Sequence, residues 1–307
     1  MVQAPNEKKS KQIRFKGDFN MKETLSTTEN FLYETKALEL SHPILVCPFC
    51  QKELIAYHNG LSCMRCELYY PAQNSIVDFL LEKEGYWVSG AFNDESKNYE
   101  QRYQSLEKAK NYNLQKKKEA TLSEGKIIEK LLAQQGKTKF LLDVPCGGGR
   151  LSSFLEKNTQ CLIETDIAYG QLLYGQKNFQ SAIPKIYLRA SALRLPLKDN
   201  SIDGTVCIRL SHHLHSEQER ILLIRELLRV SSRFVILSFN DSYAFKNIYR
   251  GWKKRLEKNT MSMDEIARIA NDFHTDLLCA PNVGFMRTHR YALLIKRESN
   301  SLITKEQ

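Results

Sequence analysis

Phe140-Leu-Leu-Asp-Val-Pro-Cys-Gly-Gly-Gly-Arg150 decides how the chain is read. Three apolar residues, an acid and a glycine cluster predict a buried strand that ends abruptly in a tight loop. Leu151-Ser-Ser-Phe-Leu-Glu-Lys157 follows with helical spacing, so the loop runs into a helix N-terminus. Glycines there let a ligand approach the backbone. Free amides and the helix dipole favour its negative group.

Outward from this stretch the pattern alternates. A helix over 127–135, strand 140–144, helix 150–157, strand 161–166 and helix 169–179 are followed by a short strand at 186–190. Strand 202–208, helix 216–230 and strand 233–238 come next, then a helix capped by Ser262 and strands near 276–280 and 291–296. Such alternation predicts an α/β fold with a doubly wound, mostly parallel sheet that binds ligands at the carboxyl ends of its strands.

At 307 residues the chain has room for one full α/β domain and something smaller. No apolar run approaches the ~18 residues of a membrane span, and no apolar segment follows the N-terminal charges. Both features predict a cytoplasmic protein. Lys and Arg outnumber Asp and Glu by 45 to 35, with the surplus in the C-terminal two-thirds. Residues 1–40 and 299–307 read as polar tails, and 86–125 as a helical connector or cap dotted with aromatics (Tyr99, Tyr103).

Four of the eight cysteines are isolated (Cys146, Cys161, Cys207, Cys279) and read as small buried residues. The other four form two knuckles, Cys47-x2-Cys50 and Cys63-x2-Cys66, twelve residues apart. Two thiolates on each of two tight turns make a closed tetrahedral site, which predicts a structural zinc ion in segment 41–85. That segment is slightly acidic, with three basic against five acidic side chains. So short a piece depends on the metal for much of its stability.

Several stretches resemble known families. The dinucleotide fingerprint G-x-G-x-x-G fits at Gly147 and Gly149 but meets Ser152 at its third glycine. With Asp143 four residues ahead of Gly147, the loop is more similar to motif I of class I S-adenosylmethionine (SAM) methyltransferases, commonly D-x-G-x-G-x-G. Pro145 replaces the first glycine and removes one N–H donor. Asp166 ends the next strand. The stretch Ala190-Ser-Ala-Leu-Arg-Leu-Pro-Leu-Lys-Asp-Asn-Ser-Ile-Asp-Gly-Thr-Val206 resembles G-D-A-x-x-L-P-F-x-D-x-S-F-D-x-V of the same family, and Cys207-Ile-Arg-Leu-Ser-His-His-Leu-His215 resembles its fourth-strand end. The likeness, to the broad type 11 kind, spans about 126–240. It implies a seven-stranded Rossmann-like domain over 126–298, with a paired final antiparallel strand. The four-cysteine segment resembles the zinc ribbon of the small methyltransferase-activator family, including Leu61 and Tyr70-Pro71.

The resemblance implies a cofactor site. Asp143, Pro145, Gly147 and Gly149 form the loop. Asp166, with Ile167 beside it, faces the ribose hydroxyls, or serves as a helix N-cap. Ser191 and Ala192 meet the adenine, and Arg209 lies near the methionine end, or in a surface ion pair. His212 and His213, with His215, stand where a general base would act on the methyl acceptor.

The acceptor stays open at this level. Phe245, Ile248, Tyr249, Trp252 and Leu256 form one stripe of a basic amphipathic insert over 243–259. A cap helix packed on the domain, a phosphate contact and an anionic membrane contact all fit it. Arg287, His289 and Arg290 read as an anionic-substrate contact or a polar turn. Three functions remain: an RNA base methyltransferase, a small-molecule or lipid-precursor methyltransferase, and a non-catalytic cofactor-binding partner protein.

Overall fold

The computed structural model describes residues 42–80, 98–99, 101–115, 118–252, 259–279 and 288–297. Both tails, the first half of the connector, the end of the basic insert and Arg287 lie outside the described residues. The side chains of 42, 246, 250–252 and 279 do too.

The cysteine segment folds as β1 (Ile55–Tyr57), β2 (Gly60–Cys63), β3 (Leu68–Gln73) and β4 (Ile76–Asp78), each antiparallel to the next. Helices α1 (Leu106–Gln115) and α2 (Lys118–Ala133) lead into β5 (Thr138–Asp143). A single turn, α3 (Ser152–Leu155), precedes β6 (Thr159–Asp166), α4 (Tyr169–Asn178), β7 (Lys185–Arg189) and β8 (Ile202–Cys207). The chain continues as α5 (Glu217–Val230), β9 (Ser231–Asn240), α6 (Phe245–Trp252), α7 (Met263–Asn271), β10 (Thr275–Cys279) and β11 (His289–Lys296).

Strands β7, β6, β5, β8 and β9 pair in parallel, and β11 runs antiparallel between β9 and β10. These seven strands are the predicted doubly wound sheet. Their order reverses between β5 and β8, where helices leave to opposite faces and a crevice opens at the carboxyl ends. On one face α2 and α3 bury Ile128, Leu132, Leu151 and Leu155 against Leu141, Val206 and Ile236. On the other, α5 and α7 bury Leu223, Leu227 and Ile266 against Leu142, Val235 and Leu237. Both helices begin in the capping boxes their sequences announce, Ser216 with Glu219 and Ser262 with Glu265.

The cysteine unit joins this sheet. Strand β4 pairs in parallel with β7, Ile76 opposite Tyr187 and Asp78 opposite Arg189, so the sheet runs to eleven strands. Leu45, Leu54, Leu61, Tyr70 and Phe79 share the core of the α5 face.

Two local details go beyond the sequence reading. The helix after the glycine loop is one turn, which weakens the dipole argument for ligand binding there. On α6 the described side chains of the apolar stripe lie largely toward solvent. Phe245, Ile248 and Tyr249 are 58%, 54% and 46% exposed. The helix docks by its other side, where Asn247, 1% exposed, donates to Asn240 Oδ1 at 2.9 Å and to the Asp241 carbonyl at 2.7 Å.

Candidate active site

A cavity of about 860 Å³ opens at the crevice between β5 and β8. That size suits a ligand of cofactor dimensions. Pro145, Gly147, Asp166, Ile167, Ser191, Ala192, Arg209, His212, His213 and His215 all line it. Residues spread over 70 positions of sequence thus meet on one surface.

Asp143 and Gly149 are not among the residues that line the cavity. Asp143 points into the protein, fully buried, and its carboxyl is pushed well above the ordinary range by desolvation and then by nearby Glu164. Gly149 is buried with φ +74, and a Cβ there would lie 2.9 Å from Ser152 Oγ. Its lack of a side chain serves the turn and the packing beneath it.

Asp166 is held at the cavity wall by two amides: Gly147 N–H donates to Oδ2 at 3.0 Å and Ala168 N–H to Oδ1 at 2.9 Å. The second closes a tight turn ahead of α4, whose N-cap is Ala168 without a side-chain cap, so Asp166 is not the helix cap of the alternative reading; it braces the loop and still presents lone pairs to a diol. Ser191 Oγ accepts from Leu193 N–H at 3.2 Å, which turns the 190–193 segment along the wall.

At the far end Arg209 adopts φ +63 and donates from Nε to Glu124 Oε1 at 2.8 Å. Glu124, 3% exposed, also pairs with Arg150 Nη1 at 2.5 Å and accepts from Tyr291 O–H at 3.1 Å. Its carboxyl is held below the usual range: desolvation raises it, but Arg150 and Arg209 outweigh burial. Sequence reasoning missed Glu124, because it sits in the polar turn of α2 inside the supposed connector.

The histidines form a wall. His212 and His213 rings lie 4.1 Å apart, and His289, from β11, places Nε2 3.4 Å from His212 Nδ1. Asn259 donates to the His212 carbonyl at 3.1 Å and meets His215 Nδ1 at 3.2 Å. Burial, then the neighbouring His213, His289 and Arg209 charges, pulls His212 down to about 3. It is therefore neutral at pH 7 and a weak base, suited to hydrogen bonding more than to proton abstraction. His289 is lowered chiefly by burial as well.

Tyr99, Tyr103 and Tyr112 close another side, with ring centroids 4.9 and 4.6 Å apart in sequence. The first two thus line the cavity, where the sequence reading favoured plain packing of both.

The four cysteines converge, their Sγ atoms all within 4.8 Å of one another. Four Zn–S bonds of roughly 2.3 Å in a tetrahedron hold sulfurs about 3.8 Å apart, so the donor set fits a thiolate-bound metal. Cys146, Cys161 and Cys207 are buried, as read from sequence, and no described cysteine is in a disulfide. No helix among the described residues is long and apolar enough to cross a membrane.

Residues 142–236 match the family model Methyltransf_11, described as a methyltransferase domain. Magnesium protoporphyrin IX methyltransferase from Synechocystis PCC 6803 with bound SAM is similar in structure at 15% identity and TM-score 0.51, over 67% of this chain and 99% of that one. N-methyltransferase NodS from Bradyrhizobium japonicum WM9, in complex with S-adenosyl-L-homocysteine (SAH), is similar at 10% identity and TM-score 0.50, over 67% of this chain and 100% of that one. No curated protein sequence matches the chain. Residues 142–236 are thus a methyltransferase domain, on a sheet whose strand order and switch-point cavity belong to the class I methyltransferase fold.

Proposed function

We propose that the enzyme methylates a small organic acceptor with an apolar part, of the lipid-precursor kind, and that its four thiolates hold a structural zinc ion. The observation that carries the acceptor class is the outward apolar face of α6. The insert leaves the sheet at Asp241, and beyond it Asn259 bonds the carbonyl of His212, a residue of the cavity wall. An exposed apolar helix face together with a cavity that carries a histidine wall suits a molecule with a reactive head and an apolar body. The acidic balance of the cysteine unit argues against its gripping nucleic-acid phosphates.

SAM supplies an electrophilic methyl group on a sulfonium, already an excellent leaving group. The chain's task is to position the acceptor and exclude water. Asp166 and Gly147 orient the ribose side, and Ser191 and Ala192 the base. Arg209, tied to Glu124, presents its remaining N–H groups to a carboxylate. Neutral His212, steadied by His289, directs the acceptor's heteroatom by a hydrogen bond, and His213 is the base for a hydroxyl or acidic carbon. The test is tritiated-methyl transfer to an organic extract and to total RNA by the same preparation. Label confined to the organic extract supports the proposal. Label in RNA overturns it in favour of base methylation, and SAM binding without transfer to either favours a non-catalytic partner.

A further inference from the structure

The pocket-lining segment Ala190–Leu193 is gripped at both ends by the cysteine unit. At its start, Asp78 of β4 pairs with Arg189 Nη1 at 2.6 Å, and Phe79 N–H donates to the Arg189 carbonyl at 2.8 Å. The same Arg189 donates from Nε to the carbonyl of Ile167, itself in the cavity wall, at 3.1 Å. Ala190 N–H then donates to the Asp166 carbonyl at 3.2 Å.

At its other end the first knuckle takes hold. Val46 N–H donates to the Pro196 carbonyl at 3.0 Å, and Lys198 N–H to that of Ile44 at 2.9 Å. Leu45 bridges to Leu197 between them. The Arg194 guanidinium lies 5.1 Å from the ring of Phe49, which sits between the ligands Cys47 and Cys50. Arg229 completes the clamp, donating to the carbonyls of Leu195 and Leu197 at 3.1 and 2.7 Å and reaching Gln51 Oε1 at 3.3 Å.

We infer that the four-thiolate unit braces the wall of the cofactor site from behind, so that metal occupancy and cofactor affinity are thermodynamically linked through segment 189–198. The inference rests on the reading of the cavity as a SAM site and of the cysteines as a metal site. The segment that leads into the metal-closed knuckle, Ile44–Val46, is the one that pins Pro196–Lys198. Without it the segment from Ala190 to Leu193 keeps its sequence but loses an anchor, and a ligand must then order it on binding. Asp78 and Arg194 are positioning residues here, since neither lines the cavity.

Linkage is reciprocal: whatever factor metal adds to cofactor affinity, cofactor adds to metal affinity. Couplings of this kind run from about 5-fold to about 150-fold. The experiment uses the full-length, zinc-loaded protein. SAH affinity is measured by calorimetry before and after metal removal with a chelator. Zinc transfer to a colorimetric chelator is followed with and without saturating SAH. Asp78→Ala, which spares all four cysteines, is tested in parallel with its zinc content measured. The expected results are SAH binding weakened at least about 5-fold by metal removal, zinc held correspondingly tighter with SAH, and weaker SAH binding in Asp78→Ala at full zinc content. If chelation unfolds the protein, the zinc-transfer and Asp78→Ala arms decide. Equal zinc transfer with and without SAH, and an SAH affinity in Asp78→Ala within twofold of wild type, would overturn the inference while leaving the methyltransferase assignment intact. Failure of the untreated protein to bind SAH would instead overturn the reading of the cavity, and the linkage with it.

Discussion

Glu124→Gln tests the electrostatics of the cavity floor. The carboxylate is 3% exposed and meets Arg150 at 2.5 Å, Arg209 at 2.8 Å and the Tyr291 hydroxyl at 3.1 Å. Glutamine keeps the volume and one acceptor but removes the charge that offsets two guanidiniums. Breaking a buried pair by neutralising one partner costs about 3–5 kcal/mol, because the other charge is left uncompensated. The upper part of that range does not apply here. The Arg150 side chain is 13% exposed but that of Arg209 is 46% exposed, so water screens the second pair. About 2–3 kcal/mol remains, chiefly from Arg150. Urea denaturation reads it as a lower midpoint at unchanged slope, and calorimetry reads the release of Arg209 as weaker SAH binding. A midpoint indistinguishable from wild type, with unchanged SAH affinity, would refute the claim that Glu124 organises this end of the cavity.

Three further outcomes follow from the geometry. His212 is neutral in the fold down to about pH 3, whereas the unfolded chain protonates it near 6.5. Acid therefore favours unfolding, and wild type loses stability relative to His212→Gln by about 1.4 kcal/mol per pH unit below 6.5, within that window. Asp143, raised in the fold, acts in the opposite sense and cancels in this comparison, so a flat difference curve would show His212 to be solvated. Gly170→Ala places a Cβ about 2.4 Å from the Tyr103 carbonyl, so it should push the tyrosine wall outward and weaken SAH binding. Unchanged affinity would remove that wall from the site. Ile248→Asp, on the exposed side of α6, should leave thermal stability within about 0.5 kcal/mol yet reduce transfer to apolar acceptors. A large loss of stability would mean that the face is packed.

Local signals carried the core of the fold. The run from Phe140 to Arg150 announces a strand and its loop because both depend on neighbouring residues alone. The same holds for the two capping boxes and the two cysteine knuckles. Long-range placement was not legible. Asp143 reads as a loop-mouth acid, but pairing of β5 with β6 buries it beside Glu164. Helix α2 was read short because buried Glu124 and Gly125 interrupt its apolar period, although Gly125 is needed where Phe154 packs. His289 reaches His212 across 77 positions, through the antiparallel pairing of β11 with β9. The α6 stripe has the period of a packed helix. Its docking is set by one polar side chain, Asn247, that hydropathy assigns to solvent.

The most direct test of the account is calorimetric titration of the zinc-loaded protein with SAH, beside its Asp166→Ala variant. Asp166 holds Gly147 and Ala168 in place at the wall of the cavity. The account predicts one site per chain in the wild type. In the variant, SAH affinity should fall at least tenfold, the equivalent of about 1.4 kcal/mol, from the lost carboxylate and two orphaned amides. Equal affinity in the two proteins, or no binding in either, would contradict the assignment of this cavity to the cofactor.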